Sequence, residues 1–380
     1  MTELFYITLA AAATALLLYA CLMAYFMYGM KNEQYRCDPA YVPQTSISVI
    51  VPVRNEQEHI ARCLNALIQQ NYPAPLFEII VADDHSEDRT EAIIAQLLPG
   101  STNLRLLRLP ESRQGKKEAI AYAIEQAAGA LIVTTDGDCT AGPDWLRTIA
   151  SFYERTHSRM ILGPVVFLED NSLLGKIQAL EFAGLMAVTA SAARLGRPFL
   201  CNGANLAYEK DVFLELDGFA GIQAIQSGDD VLFLHKVKER YPASVCALPG
   251  PDARVFTAPP PGLRAFFDQR MRWASKARYY TDKFSLLVSA LVFSANFFPL
   301  MAILLAFTQP VETTLLACVI LPGFKCLIDF LFLFLAARIS AKTPLLAYFL
   351  PAQLFVMFYV SITGLLSGFM GYHWKGRSVK

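Results

Sequence analysis

The sequence predicts an α/β domain on a parallel sheet, flanked by transmembrane helices. Three observations predict it. After Ser46, apolar runs rich in β-branched residues alternate with segments of helical period, the pattern of parallel strands covered by helices. Long stretches towards both ends of the chain carry no charge. Finally, 54% of the 380 residues are hydrophobic and the mean hydropathy is +0.35, too apolar for an ordinary soluble domain. The formal net charge is zero, so no nucleic-acid partner held by phosphate contacts is expected. The eight cysteines form no CxxC pair and read as reduced thiols.

Leu4 to Met30 holds no charged residue and is long enough to cross a bilayer once. Its start has Glu3 and no Lys or Arg, unlike a signal peptide. Lys31 and Arg36 follow, so the positive-inside rule places the N-terminus outside and the next region in the cytoplasm. The expected division is a transmembrane helix over 1–30, a linker over 31–45 and a cytoplasmic domain over 46–260. An interfacial helix over 261–283, further transmembrane helices over 284–372 and a basic tail over 373–380 complete it.

Within 46–260, Ile47–Val53 reads as a buried strand and Asn55-Glu56 as the start of a helix carrying Ile60, Leu64, Leu67 and Ile68 at helical spacing. Phe77–Ala82 is a second strand. It stops at Asp83-Asp84-His85-Ser86, where acidic and hydroxyl residues suit a loop before a helix. Leu104–Leu109 is a third strand, and Gly115-Lys116-Lys117 opens a helix. The fourth strand, from Ala130, ends in Asp136-Gly-Asp138. Ligands on such sheets sit at the carboxyl ends of the strands. Two hard oxygen donors spaced i, i+2 there suit Mg²⁺ or Mn²⁺ carrying a phosphate-bearing substrate, although Asp-Gly-Asp is also ordinary turn chemistry. Asn171–Leu195 reads as a long helix, apolar on most faces, buried in a core or at a membrane. Cys201–Tyr208 is a Gly-containing loop entering a strand. Gly228-Asp229-Asp230 opens a helix, with Asp229 also explicable as its N-cap.

Pro261–Tyr280 mixes Arg and Lys with aromatic residues, as helices on membrane surfaces do. Gln269, Arg272 and Trp273 share one face there and could hold a sugar hydroxyl, a diphosphate and an apolar ring edge. Three more apolar runs follow: Phe284–Val311, Thr313–Ala337 with Lys325 and Asp329 inside it, and Thr343–Tyr372. Lys325 and Asp329 either line a lipid path or form a neutralised packing pair. Three crossings would leave Lys375, Arg377 and Lys380 outside, against the charge rule. Either the last run, broken by Pro351, re-enters, or one run is interfacial.

The motifs Val51-Pro-Val-Arg-Asn-Glu56, Val81-Ala-Asp-Asp84, Gly115-Lys116, Asp136-Gly-Asp138, Gly203-Ala-Asn205, Asp229-Asp230 and Gln269-Arg-Met-Arg272-Trp273 together resemble the family-two inverting glycosyltransferases. The likeness is to the membrane-bound branch of cellulose, chitin, hyaluronan and poly-N-acetylglucosamine synthases and ceramide glucosyltransferases. It implies a glycosyltransferase A-type, Rossmann-like domain with flanking membrane helices. It also implies a metal-dependent enzyme that moves a sugar from a UDP-sugar to an acceptor hydroxyl. By resemblance, Pro52, Arg54, Glu56, Asp83, Asp84, Lys116 and Asp136 serve the nucleotide-sugar, Asp83 or Asp84 holding its uracil or ribose. Asp138, with Asp136, holds Mg²⁺ or Mn²⁺. Asp230, beside Asp229, is the general base. Arg272 stabilises the leaving diphosphate, and Gln269, Trp273 and Asn205 shape the acceptor side. The family's usual Glu-Asp is Asp229-Asp230 here, so the base is assigned by position in the pair. The small number of spans favours a membrane-lipid acceptor, and hence glycolipid synthesis. The alternatives are a processive polysaccharide synthase and a non-catalytic scaffold or transporter. The expected setting is multi-pass in a bacterial inner membrane, with the catalytic domain cytoplasmic.

Overall fold

The computed structural model describes residues 2–168, 170–223, 225, 227–307, 314–367, 372–374 and 377–379, the last two stretches by their backbone. The chain begins α1 (Thr2–Gly29), β1 (Ile47–Val53), α2 (Ile60–Ile68), β2 (Phe77–Asp83), α3 (Thr90–Leu97) and β3 (Leu104–Arg108). It continues α4 (Lys116–Glu125), β4 (Leu131–Thr134), β5 (Thr140–Ala141), α5 (Trp145–Thr156), β6 (Met160–Leu162), β7 (Val165–Phe167) and α6 (Leu173–Arg194). Then come β8 (Leu206–Glu209), α7 (Lys210–Glu215), α8 (Asp229–Arg240), β9 (Val245–Ala247), β10 (Val255–Thr257) and α9 (Gly262–Ala274). It ends α10 (Lys283–Ala306), α11 (Leu321–Ser340), α12 (Phe349–Leu366), β11 (Tyr372–Trp374) and β12 (Arg377–Val379). The chain divides into two compact units. One comprises Asn32–Leu168 and Ala192–Ala258, the other Met1–Lys31, Glu169–Ser191 and Pro259–Lys380.

The first unit is α/β. Its main sheet has the order β3-β2-β1-β4-β8-β6-β9, with β8 antiparallel to both of its neighbours. β1 to β4 run parallel, as expected, and β1 is buried along its whole length. A strand of this kind, apolar but for Ser48, suits a sheet covered on both faces. Pro52 is tolerated in its interior because β4 pairs with β1 only through Ile50↔Thr134. The N–H that proline lacks would face the side where the ladder has already ended. Gly129 lets the turn into β4 pass close to β1; a Cβ there would lie 2.4 Å from the Ser48 nitrogen. The strand order reverses between β1 and β4, and such reversals are where ligands bind on open α/β sheets. The helix expected from Asn55 begins only at Ile60. Asn55 itself adopts φ 52° in the turn before it.

The second unit is helical. Among the described residues, five segments are long and apolar enough to cross a membrane: Thr2–Gly29, Leu173–Arg194, Lys283–Ala306, Leu316–Ser340 and Thr343–Leu366. The 46–260 block expected from sequence is therefore interrupted. Residues 169–191 group with the apolar helices, because a helix apolar on most faces buries against other apolar surfaces. α1 packs antiparallel to α10: Phe26 meets Phe284, and Phe5 meets Ala302 and Ala306. α11 also pairs with α1, Phe5 meeting Ala317 in the turn before it, while the Tyr19 hydroxyl donates to Asp329 Oδ1 at 2.7 Å. Lys325 Nζ lies 2.6 Å from Asp329 Oδ2, so this pair is neutralised in place and ties helices together. α12 touches α11 near its start, through Phe349 on Phe330 and Gln353 on Lys325. Near its end it touches α10, a Cβ at Gly364 falling 2.4 Å from the Phe293 ring. β11 and β12 form a hairpin, with β11 against α9.

Candidate active site at the carboxyl edge of the sheet

β4 ends at Thr134, whose Oγ1 donates to the Gly203 carbonyl at 2.7 Å. This bond fixes the Gly203–Asn205 turn beside the strand end. The Gly203 N–H in turn donates to Asp230 Oδ2 at 3.2 Å, bringing the first turn of α8 to the same edge. Gly228, at φ 85°, precedes that turn, a left-handed conformation that glycine adopts freely. Asp229 is thus the first helical residue, and no side chain caps the helix; the N-cap alternative does not hold.

Asp136 and Asp138 flank Gly137 in a tight turn, the Cys139 N–H donating to the Asp136 carbonyl at 3.0 Å. The turn and ligand readings of Asp-Gly-Asp therefore coexist. The backbone is not extended here, yet one ligand atom each of Asp136, Asp138 and Cys139 lie within 4.8 Å of one another. Burial, and then the charge of Asp136, raise the Asp138 carboxyl above its ordinary range. The Cys139 thiol donates to Asp138 Oδ1 at 3.4 Å. Burial, reinforced by both carboxylates, holds its pKa well above the usual thiol value. A protonated thiol is no ligand for a hard cation, so the donor set that fits Mg²⁺ or Mn²⁺ is the pair of carboxylates.

Lys116, at the start of α4, joins these groups. Its Nζ is 2.7 Å from Asp136 Oδ1 and 3.6 Å from Asp229 Oδ2. Burial opposes its charge, but Asp136, Asp229 and Asp230 outweigh burial and hold the ammonium protonated well above the ordinary lysine range. Lys117, not singled out from the sequence, donates to the Ile222 and Ser227 carbonyls at 3.0 Å each. It anchors the loop that delivers Asp229. The second lysine of Gly-Lys-Lys was the signal for it.

Several of the expected ligand residues also make contacts within the protein. Asn205 is 2% exposed. Its Nδ2 donates to the Pro164 and Ala253 carbonyls and its Oδ1 accepts from Trp145, so its amide is committed inward. Arg54 binds the Asp84 and His85 carbonyls and Glu87, bracing the loop after β2. Asp83 accepts from the Ser86 N–H and hydroxyl, and burial raises its pKa. Pro52 lies inside β1. Asp84 Oδ1 accepts from the Gly115 N–H at 3.0 Å, which positions Lys116 one residue on. Glu56 is buried and packs beside Gly137, where a Cβ would lie 3.2 Å from its Cγ. Gln269, Arg272 and Trp273 are carried by α9, in the helical unit.

The description "Glycosyl transferase family 2" matches residues 48–214. These residues are a family 2 glycosyl transferase domain. Over 125 residues the chain is 38% identical to Glycosyltransferase AglE of Haloferax volcanii, a match covering 33% of this chain and 41% of that protein. Over 117 residues it is 28% identical to a Beta-monoglucosyldiacylglycerol synthase of Synechocystis, covering 30% of this chain and 24% of that one. The chain thus spans well under two thirds of the length of these relatives. The solved structure of the mannosyltransferase PcManGT from Pyrobaculum calidifontis, in complex with GDP-Man and Mn²⁺, superposes with a TM-score of 0.60. That comparison covers 96% of this chain and 99% of the other at 21% identity, which is a likeness of fold. The transferase domain therefore has the glycosyltransferase A-type architecture that the motif order implied.

Proposed function

We propose that the chain is an inverting glycosyltransferase that moves a sugar from a UDP-sugar to a hydroxyl of a membrane lipid. The observation carrying this reading is the convergence of Asp136, Asp229 and Asp230 on Lys116 at the reversal point of the sheet. Asp136 and Asp138 would hold Mg²⁺ or Mn²⁺, which when bound offsets diphosphate charge and makes UDP a better leaving group. Lys116 lends a fixed positive charge beside that position. Asp84 and Glu56 line the nucleotide side. Asp230 accepts N–H bonds from Val231 and Gly203, which orient its carboxylate at the strand edge. Its role is to take the acceptor proton as the hydroxyl attacks from the face opposite the leaving group. The resemblance assigns Arg272 to the leaving diphosphate and Gln269 and Trp273 to the acceptor. The mannosyltransferase structure with Mn²⁺ and the glucosyldiacylglycerol synthase relative support the metal and the lipid acceptor.

The reading includes a membrane topology with three crossings: α1, α10 and α11. α6 leaves from β7 and returns to β8, strands of the same α/β unit, so it does not separate two sides of a bilayer. α12 is about 27 Å long at 1.5 Å per residue, yet it joins two points at similar depth. Its early contact lies beside Asp329, level with Tyr19. Its late contact is Phe293, nine residues beyond Phe284, which is level with Phe26. By helical rise those depths are about 10 and 13 Å from the Phe26 end. α12 therefore lies along the membrane. Lys31, Arg338 and Lys342 then lie on the cytoplasmic side, as the charge rule requires.

Membranes containing the protein, supplied in turn with labelled UDP-glucose, UDP-galactose, UDP-N-acetylglucosamine and GDP-mannose, test the reading by thin-layer chromatography. The expected product is a mobile labelled lipid whose formation stops with EDTA. Label that stays at the origin as polymer would establish a polysaccharide synthase instead. Turnover insensitive to EDTA would remove Asp138 from a metal-binding role. A phosphatase reporter fused at the C-terminus should be inactive; an active one refutes the topology.

A further inference from the structure

Arg270 is absent from the roles assigned so far, although it sits inside the Gln-x-x-Arg-Trp motif. It is 5% exposed. Its Nη2 lies 2.7 Å from Glu181 Oε2 on α6, and the Tyr359 hydroxyl of α12 donates to the other oxygen of Glu181. Its Nη1 donates to Gln269 Oε1 at 2.6 Å. The guanidinium lies 4.6 Å from the Phe266 ring centre and 4.4 Å from that of Trp273. Phe266, Gln269, Arg270 and Trp273 follow the i, i+3, i+4, i+7 spacing of one helix face. One cation therefore touches both motif residues on that face and two other helices at once.

Stability alone is a poor account of this arrangement. A buried ion pair is often no more stable than apolar side chains of the same volume. Here the buried Arg270 Nε–H also has no hydrogen-bond partner among the described residues, which adds a desolvation cost. What the arrangement does achieve is orientation. With its carbonyl oxygen held by Arg270, Gln269 turns its two N–H donors away from that bond. The Trp273 ring is held against the guanidinium face.

We infer that Arg270 is a positioning residue. Gripped by Glu181 and Tyr359, it sets the amide of Gln269 and the ring of Trp273 for the acceptor. This rests on the acceptor-side role proposed above for those two residues. Lysine would keep the charge but lose the planar fork and its stacking.

The test is steady-state kinetics of full-length protein in dioleoylphosphatidylcholine vesicles containing dioleoylglycerol. The donor is whichever sugar nucleotide the wild type transfers. For Arg270→Lys, kcat should fall and acceptor KM should rise, together lowering kcat/KM for the acceptor about 10- to 100-fold, with donor KM within about twofold. Tyr359→Phe, which removes one hydroxyl and leaves the packing, should shift the acceptor parameters the same way by about three- to tenfold. If Arg270→Lys reduces only the yield of folded protein, Tyr359→Phe decides. Acceptor parameters at wild-type values in the decisive variant, with Arg272→Ala inactive, would overturn this inference and leave the function standing. Full transfer by Arg272→Ala would overturn both.

Discussion

The ammonium of Lys116 lies 2.7 Å from the carboxylate of Asp136. That contact joins the start of α4 to the end of β4, and Asp229, 3.6 Å from the same nitrogen, brings in the start of α8. A cation bound by Asp136 would share that carboxylate with Lys116. Lys116→Met should therefore tighten Mn²⁺ binding, because a like charge is removed from beside the ion. It should also raise the donor KM about tenfold, since a group facing the diphosphate is lost. Thermal-shift titrations with Mn²⁺ and donor kinetics read the two effects separately. An unchanged Mn²⁺ midpoint would mean that Lys116 and the ion do not meet at Asp136.

Asp230→Asn keeps the shape of the side chain but retains one acceptor oxygen for the two N–H groups of Gly203 and Val231, and it cannot take a proton. Transfer should drop at least about 100-fold, within the range general-base catalysis contributes, while UDP binding by calorimetry stays within about threefold. Transfer near the wild-type rate would exclude Asp230 as the base and direct attention to Asp229.

Much of this was legible in the sequence, and the exceptions have physical causes. The four parallel strands were plain because apolar runs such as Ile47–Val53 are buried on both faces. The acidic strand ends were plain because polar residues interrupt those runs at the edge where ligands bind. The commitments of Asn205 and Arg54 were not legible. Their partners are carbonyls such as those of Ala253 and His85, and a carbonyl leaves no mark in a side-chain pattern.

Gly129→Ala tests the close approach of the turn to β1. A Cβ would meet backbone atoms of Ile47 and Ser48 at 2.4–2.5 Å, and neither can swing aside. The substitution should destabilise the protein by about 1–3 kcal/mol, as overpacking does, read from unfolding of detergent-purified protein. Activity per folded molecule should not change. A melting temperature equal to wild type would mean the turn relaxes at no cost.

Glu154 couples the linker before β1 to α5. Burial alone would raise its pKa. Hydrogen bonds from Thr45 Oγ1 at 2.7 Å and from the Gln44 and Thr45 N–H groups at 3.0 and 2.9 Å outweigh burial, and the carboxyl is held below its ordinary value. A carboxyl depressed in the folded state stabilises above its unfolded pKa, and that stability is lost as pH falls through the folded value. Melting temperature should therefore fall on acidification below the ordinary carboxylate range. Glu154→Gln should be less stable than wild type at neutral pH, with the difference closing in acid. A constant gap between the two across pH would refute the linkage.

The pairing of β6 sets an order of assembly. Among the described residues β6 pairs only with β8 and β9, and both emerge from the ribosome after the whole of α6. At roughly 5–20 residues per second, Met160–Leu162 is exposed for a few seconds as a strand without neighbours, while β1 to β4 can already join. Half the sheet must therefore be completed around an apolar helix that has just been made. Synthesis at the membrane surface, where that helix has somewhere to go at once, is the route that keeps the unfinished edge from pairing with another nascent chain.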